Sequence, residues 1–154
     1  MLVPRTLIFL TREHEVLLLK GAPTKRLWAN LYNGIGGHIE CGEDALQAAS
    51  REVHEETGLI VQDLHLCGTV TIDTGQNPGI LLFVFKGQGP SGELKSSSEG
   101  SLEWISLDQL DQVPLVEDLP ELLPRVLRYQ PQDGLFYGHY FYNAQDELVI
   151  QINR

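Results

Sequence analysis

Cysteine and basic residues are scarce in this chain, and long apolar runs are missing altogether. The two cysteines among 154 residues, Cys41 and Cys67, lack the paired spacing of a zinc site or redox motif, so both are expected reduced, with Cys67 in the core. The longest apolar stretches, at 79–85 and 15–19, fall far short of the roughly 18 residues that a membrane span needs, so no membrane partner is expected. Met1-Leu2-Val3-Pro4-Arg5 has no basic region leading into an apolar stretch and cleavage site. That sets aside a secretory signal and makes a cytoplasmic location the expectation. Eleven Lys and Arg stand against 21 Asp and Glu, a formal charge of −10, which opposes sequence-independent binding to polymeric nucleic acid. A small phosphate-bearing substrate fits that charge if metal ions offset the repulsion.

With 42% hydrophobic residues, the chain has enough apolar surface for one unstapled domain over residues 1–154, and no repeat or composition shift marks a second. Thr6 to Leu10 and Val16 to Lys20 are short aliphatic runs around a polar stretch and read as a hairpin. Residues 21–31 read as a loop. Five of the ten residues from Asn33 to Gly42 are asparagine or glycine, so an irregular backbone is expected there, one that could approach a ligand closely. Asp44 to Thr57 reads as a helix, with Asp44 and Gln47 as a capping box and Gly58 as a left-handed stop. Strands are expected over Leu64 to Ile72, Ile80 to Lys86 and Leu102 to Ile105, with a Gly- and Ser-rich loop over 87–100. A second helix is expected over Leu119 to Tyr129, interrupted or bent at Pro124. Leu135 to Tyr142 and Leu148 to Ile152 read as a closing hairpin.

The chemistry concentrates in one segment: Gly37, five residues, Glu43, seven residues, then Arg51-Glu52-Val53-His54-Glu55-Glu56-Thr57-Gly58-Leu59. At about 100° per residue, Glu52, Glu55 and Glu56 fall within about 100° of one another on one helical face. Ala45, Ala48 and Ala49 share that side, and their small size lets the helix lie close to the glycine-rich segment before it. Gathered carboxylates repel one another, so a cation is expected among them, and hard oxygen ligands suit Mg²⁺, with Mn²⁺ as a substitute. A solvated acidic helix face is the plainer alternative. The flanking glycines, and Arg51 one turn from Glu55, favour the metal site, with Arg51 orienting a glutamate and Glu43 supporting the loop or coordinating a metal through water.

Seven fixed identities and two aliphatic positions at set spacing resemble the complete signature of the Nudix hydrolases, a match expected by chance less than about once in a million windows. The resemblance implies an α/β (α+β) fold, an α/β/α sandwich around a mixed sheet. It also implies a pyrophosphohydrolase working with two or three divalent ions on a small-molecule nucleotide. The metal ligands it implies are the Gly36 carbonyl, Glu52, Glu55 and Glu56, with Glu56 and Glu52 as candidates for the general base. Glu99, five residues before Trp104, resembles the family's later carboxylate ligand, and Glu103 is its rival.

The stretch from Leu31 to Ile39 resembles the branch that hydrolyses oxidised purine nucleoside triphosphates such as 8-oxo-dGTP, where an asparagine before the glycines reads the base. Asn33 is that candidate, with a left-handed turn residue as the alternative. Asp118, of the acidic pair Glu117-Asp118, is the second base reader or else a helix N-cap. Leu115 and Val116 stand where that branch carries a tryptophan. Lys20, His38 and Gly37 are the phosphate-contacting candidates, each of the first two equally an ordinary surface residue. ADP-ribose, dinucleoside polyphosphates and dihydroneopterin triphosphate are alternative substrates, a non-catalytic binding module is the alternative class, and a monomer or small homodimer is expected.

Overall fold

The computed structural model describes residues 1–24, 29–95 and 99–153. The loops expected over 21–31 and 87–100 lie partly outside the described residues, at 25–28 and 96–98. Among the described residues, nine strands and two α-helices follow in the order β1 (Leu2–Arg12), β2 (Glu15–Gly21), β3 (Tyr32–Asn33), β4 (Ile35–His38), α1 (Ala45–Thr57), β5 (Leu64–Ile72), β6 (Gly79–Gln88), β7 (Gly100–Ser106), α2 (Leu119–Arg128), β8 (Phe136–Tyr142) and β9 (Leu148–Asn153). The sheet runs β3-β2-β1-β6-β5-β8-β9, with β4 paired to β1 and β7 to β2. It is mixed: β1–β6 and β5–β8 are parallel, and the other strand pairs are antiparallel.

The first hairpin forms, but β1 stays with β2 only from Leu10 to Arg12. Further back, Arg5 to Ile8 pair instead with His38 to Ile35 of β4. This divergence opens space between β1–β4 and β2–β3; of the segment expected to be irregular, Asn33 and Ile35–His38 lie in short strands, while residues 39–42 are irregular, with Gly42 at φ 90°.

Alternation along β1 divides the core. Leu7 and Phe9 enter one apolar cluster with Leu119, Leu122, Leu123 and Val126 of α2. Ile8 and Leu10 enter another with Ala49 and Val53 of α1. An uninterrupted apolar run buried on both sides is what a central strand between two helical layers requires. Helix α2 runs continuously through Pro124, contrary to the expected interruption. A proline in a helix interior costs about 3 kcal/mol, and four fully buried side chains on the inner face of α2, at roughly 1.5–3 kcal/mol each, outweigh it. Cys67 is buried and unpaired, and Cys41 is exposed and unpaired.

Candidate active site

Helix α1 begins and ends as its sequence dictates. The Asp44 carboxylate accepts from the Gln47 N–H at 2.8 Å, and the Gln47 side chain accepts from the Asp44 N–H at 2.9 Å. Gly58, at φ 77°, closes the helix by donating its N–H to the His54 carbonyl. Ala48 and Ala49 are fully buried, which seats the helix against β4 and brings Glu52 to the glycines there.

Arg51 organises the carboxylates. Its Nη2 donates to Glu43 Oε1 at 2.6 Å and to the His38 carbonyl at 3.1 Å, and its Nε donates to Glu43 Oε2 at 3.1 Å. Its Nη1 donates to Glu52 Oε1 at 2.9 Å and Glu55 Oε2 at 3.2 Å. The hydrogen bonds from Arg51 hold Glu43 below the ordinary carboxylate range, and Glu43's reciprocal grip, with Glu52 adding to it, raises the guanidinium. Burial pushes Glu52 upward, the negative charges of Glu55 and Glu56 add to that, and Arg51 opposes it. Glu52 therefore stands desolvated among like charges with one cation on one oxygen, the setting that favours a further positive charge nearby.

The glycines of β4 are required by space. Their φ values are not positive; of the glycines between 34 and 42, only Gly42 has positive φ. A Cβ on Gly37 would strike the Glu52 carboxylate, and one on Gly36 would strike the Thr6 carbonyl. Bare backbone at Gly36 and Gly37 thus lies directly against a carboxylate and a strand edge.

A cavity of about 460 Å³ lies in the opening between β1–β4 and β2–β3. It collects Asn33, Gly36, Gly37, His38, Glu52, Glu56 and Glu99, seven of the residues that the sequence singles out. Leu7, Leu19, Leu31 and Val116 supply an apolar stretch of its wall. The hard oxygens of Glu52, Glu56, Glu99 and the glycine backbone fit a divalent ion in kind. Among the described residues no three Asp, Glu, His or Cys side chains stand close enough to enclose one, so the carboxylates share a wall without forming a finished shell.

Several expected residues lie elsewhere. Glu55 is absent from the wall, its side chain 57% exposed and held by Arg51. Lys20 is also absent: Leu19 and Gly21 face the cavity, and strand alternation turns Lys20 away, its Nζ 5.8 Å from the centroid of Tyr32. Asp118 does not line the cavity either, nor does its side chain cap α2. Its carboxylate accepts from Tyr140 Oη at 3.0 Å, and burial raises it above the ordinary range. Asn33 is a strand residue with no positive φ, which removes the left-handed turn reading, and its Oδ1 accepts from the Gly34 N–H at 2.8 Å. Glu103, the rival of Glu99, does not line the cavity; it is half-buried and accepts from Tyr32 Oη at 2.9 Å. Arg5 and Thr6 line the cavity and went unnoticed in the sequence. The divergence of β1 from β2 places them there, and no local motif announces a strand that changes partner.

The family model of the NUDIX domain matches residues 1–126. The oxidized purine nucleoside triphosphate hydrolase of Mus musculus is 30% identical over 145 residues, spanning 94% of this chain and 89% of that protein. The NAD-capped RNA hydrolase NudC of Pseudomonas aeruginosa is 33% identical over 118 residues, 73% of this chain but 39% of that protein. The crystal structure of a mutator MutT protein from Bacillus halodurans superposes with a TM-score of 0.82 at 30% identity, covering 98% of this chain and 97% of that one. The signature carboxylates on α1, the glycines against which Glu52 packs and the match along most of the chain place this protein in the Nudix family of hydrolases, which act on nucleotide pyrophosphate bonds.

Proposed function

We propose that this protein is a divalent-metal-dependent pyrophosphohydrolase of nucleoside triphosphates. Its substrates are oxidised purine nucleotides such as 8-oxo-dGTP, and it releases the nucleoside monophosphate and pyrophosphate. The observation that carries this reading is the shared cavity, whose wall holds the carboxylates Glu52, Glu56 and Glu99 together with the amide of Asn33 and the apolar Leu31 and Val116. The likeness to the murine hydrolase over nearly the whole chain supports the same substrate class.

Glu52, Glu56, Glu99 and the Gly36 carbonyl would hold Mg²⁺, or Mn²⁺ in its place, with Glu55 joining from the outer side of α1. When bound, the ion lowers the pKa of water and neutralises phosphate oxygens. The chain's own residues do the rest. Glu56 or Glu52 accepts the proton as a water oxygen bonds to phosphorus, and the electron pair of the broken P–O bond leaves with the departing phosphate group. Arg51 positions Glu52 and Glu43 fixes Arg51, so the base keeps one orientation. Asn33 offers an amide that donates and accepts at once, matching a purine edge with both functions, while Gly37 and His38 lie beside the phosphates.

The test is a comparison of kcat/KM across 8-oxo-dGTP, dGTP, ADP-ribose, a dinucleoside polyphosphate and dihydroneopterin triphosphate. The expected result is a clear preference for the oxidised purine triphosphate. A higher kcat/KM for ADP-ribose or a dinucleoside polyphosphate would overturn it.

A further inference from the structure

We propose that Arg5 binds a phosphate group of the substrate, an assignment that rests on the reading of the cavity as a nucleotide pyrophosphohydrolase site. Arg5 sits on β1 opposite His38 of β4 and Leu82 of β6. It is half-buried and shares the cavity wall with Glu40, Glu52, Glu56 and Glu99. Among the described residues it is the one Lys or Arg in that wall, and it makes no ion pair or hydrogen bond through its side chain with any of them.

That combination calls for an explanation. In a chain of net charge −10, a guanidinium near four carboxylates would ordinarily be captured by one, as Arg51 is captured by Glu43, Glu52 and Glu55. Arg5 keeps its donors uncommitted while giving up part of its hydration, a cost that an incoming anion offsets. Its pairing with His38, next to the Thr6–Gly37 pair beside Glu52, sets the Arg5 backbone close to that carboxylate, whereas Asn33 pairs with Leu19 on β2. The planar fork of a guanidinium matches two oxygens of one phosphate. Among the described residues, two other cations come into question and both are unsuited, since Arg51 is saturated by carboxylates and Lys20 faces away over Tyr32.

Calorimetric titration of the purified protein with inorganic pyrophosphate in Mg²⁺ reads this role without turnover. Arg5→Gln is expected to weaken pyrophosphate binding about tenfold and to raise KM for the nucleoside triphosphate by a similar factor at nearly unchanged kcat. Arg12→Gln removes the same charge from a residue bonded to Glu15 and stacked over Trp104 outside the cavity; it should match wild type in both. Equal pyrophosphate affinity in Arg5→Gln and Arg12→Gln overturns the assignment. If Arg5→Gln folds poorly, Arg5→Lys is titrated instead, and binding as tight as wild type overturns it, because an ammonium lacks the two-pronged grip. Wild type that binds pyrophosphate through Arg5 but cleaves no nucleoside triphosphate sinks the proposed function and leaves this assignment standing.

Discussion

The α1 side of the sheet draws most of its chemistry from one helix and the segment before it, whereas the α2 side joins Asp118 to Tyr140 from positions 22 residues apart. On the first side Glu43, Arg51, Glu52 and Glu55 sit within a 13-residue stretch and hydrogen-bond among themselves. Helical periodicity brings Arg51 to Glu55, and Glu43, just before the helix, meets Arg51 from the N-terminal side. On the second, an acid expected to read a base instead accepts a hydrogen bond from Tyr140 of β8 and stays off the cavity wall. The contrast teaches that the carboxylates of α1, the reacting end on the proposed reading, are gathered largely by spacing along one segment, whereas tertiary contact decides whether an acid reaches the cavity to serve its selecting end, and Asp118 does not.

The largest expected effect lies at the reacting end. Glu56→Gln should lower kcat by about a thousandfold or more, as loss of a base or ligand does, while circular dichroism and Tm stay near wild type. Turnover close to normal at saturating Mg²⁺ would remove Glu56 from the chemistry. Gly37→Ala should come next: its methyl group must displace the Glu52 carboxylate, so activity should fall roughly a hundredfold, with a stability loss of about 1–3 kcal/mol by denaturant titration. Retention of activity would mean that Glu52 need not hold its position.

Glu99 and Glu103 sharpen the comparison, because they flank the same strand start but serve different sides. Glu99→Gln should reduce kcat/KM at least tenfold, whereas Glu103→Gln, which weakens a hydrogen bond to Tyr32, should cost about 1 kcal/mol of stability and leave kinetics alone. Equal kinetic losses would blur the two sides. At the selecting end, Asn33→Ala should cost about 1–3 kcal/mol of discrimination between oxidised and normal purine triphosphates, with hydrolysis retained.

The smallest effect concerns Asp118. Its folded pKa is raised, chiefly by burial, so the ionised form is penalised in the native state. The stability it contributes is complete below its unfolded pKa and declines as pH rises through the folded value. Asp118→Asn should therefore match wild type in acid and become the more stable of the two as pH rises above the ordinary Asp range. A gap in Tm that does not change with pH would contradict this.

Legibility followed the same division. The capping box, the Gly58 stop and the acidic face were readable because each is set by spacing within one helix and its ends, whereas the grip of Arg51 on Glu43, which lies before the helix, was not. The glycines of β4 were recognised but for the wrong reason: they are needed because Thr6 and Glu52 crowd them, and neither neighbour is visible from the segment alone. Lys20 and Asp118 resembled family positions by sequence, but strand alternation in the one case and the contact with Tyr140 in the other take them off the cavity wall. Arg5 went unread because it enters the site only after β1 exchanges β2 for β4, a pairing that no local pattern specifies.

The account stands most directly on the products of a single reaction. Purified protein incubated with 8-oxo-dGTP and Mg²⁺ should release 8-oxo-dGMP and pyrophosphate in equal amounts, resolved by ion-exchange chromatography, and EDTA should stop the reaction. Orthophosphate released in place of pyrophosphate, or hydrolysis that persists in EDTA, would contradict it.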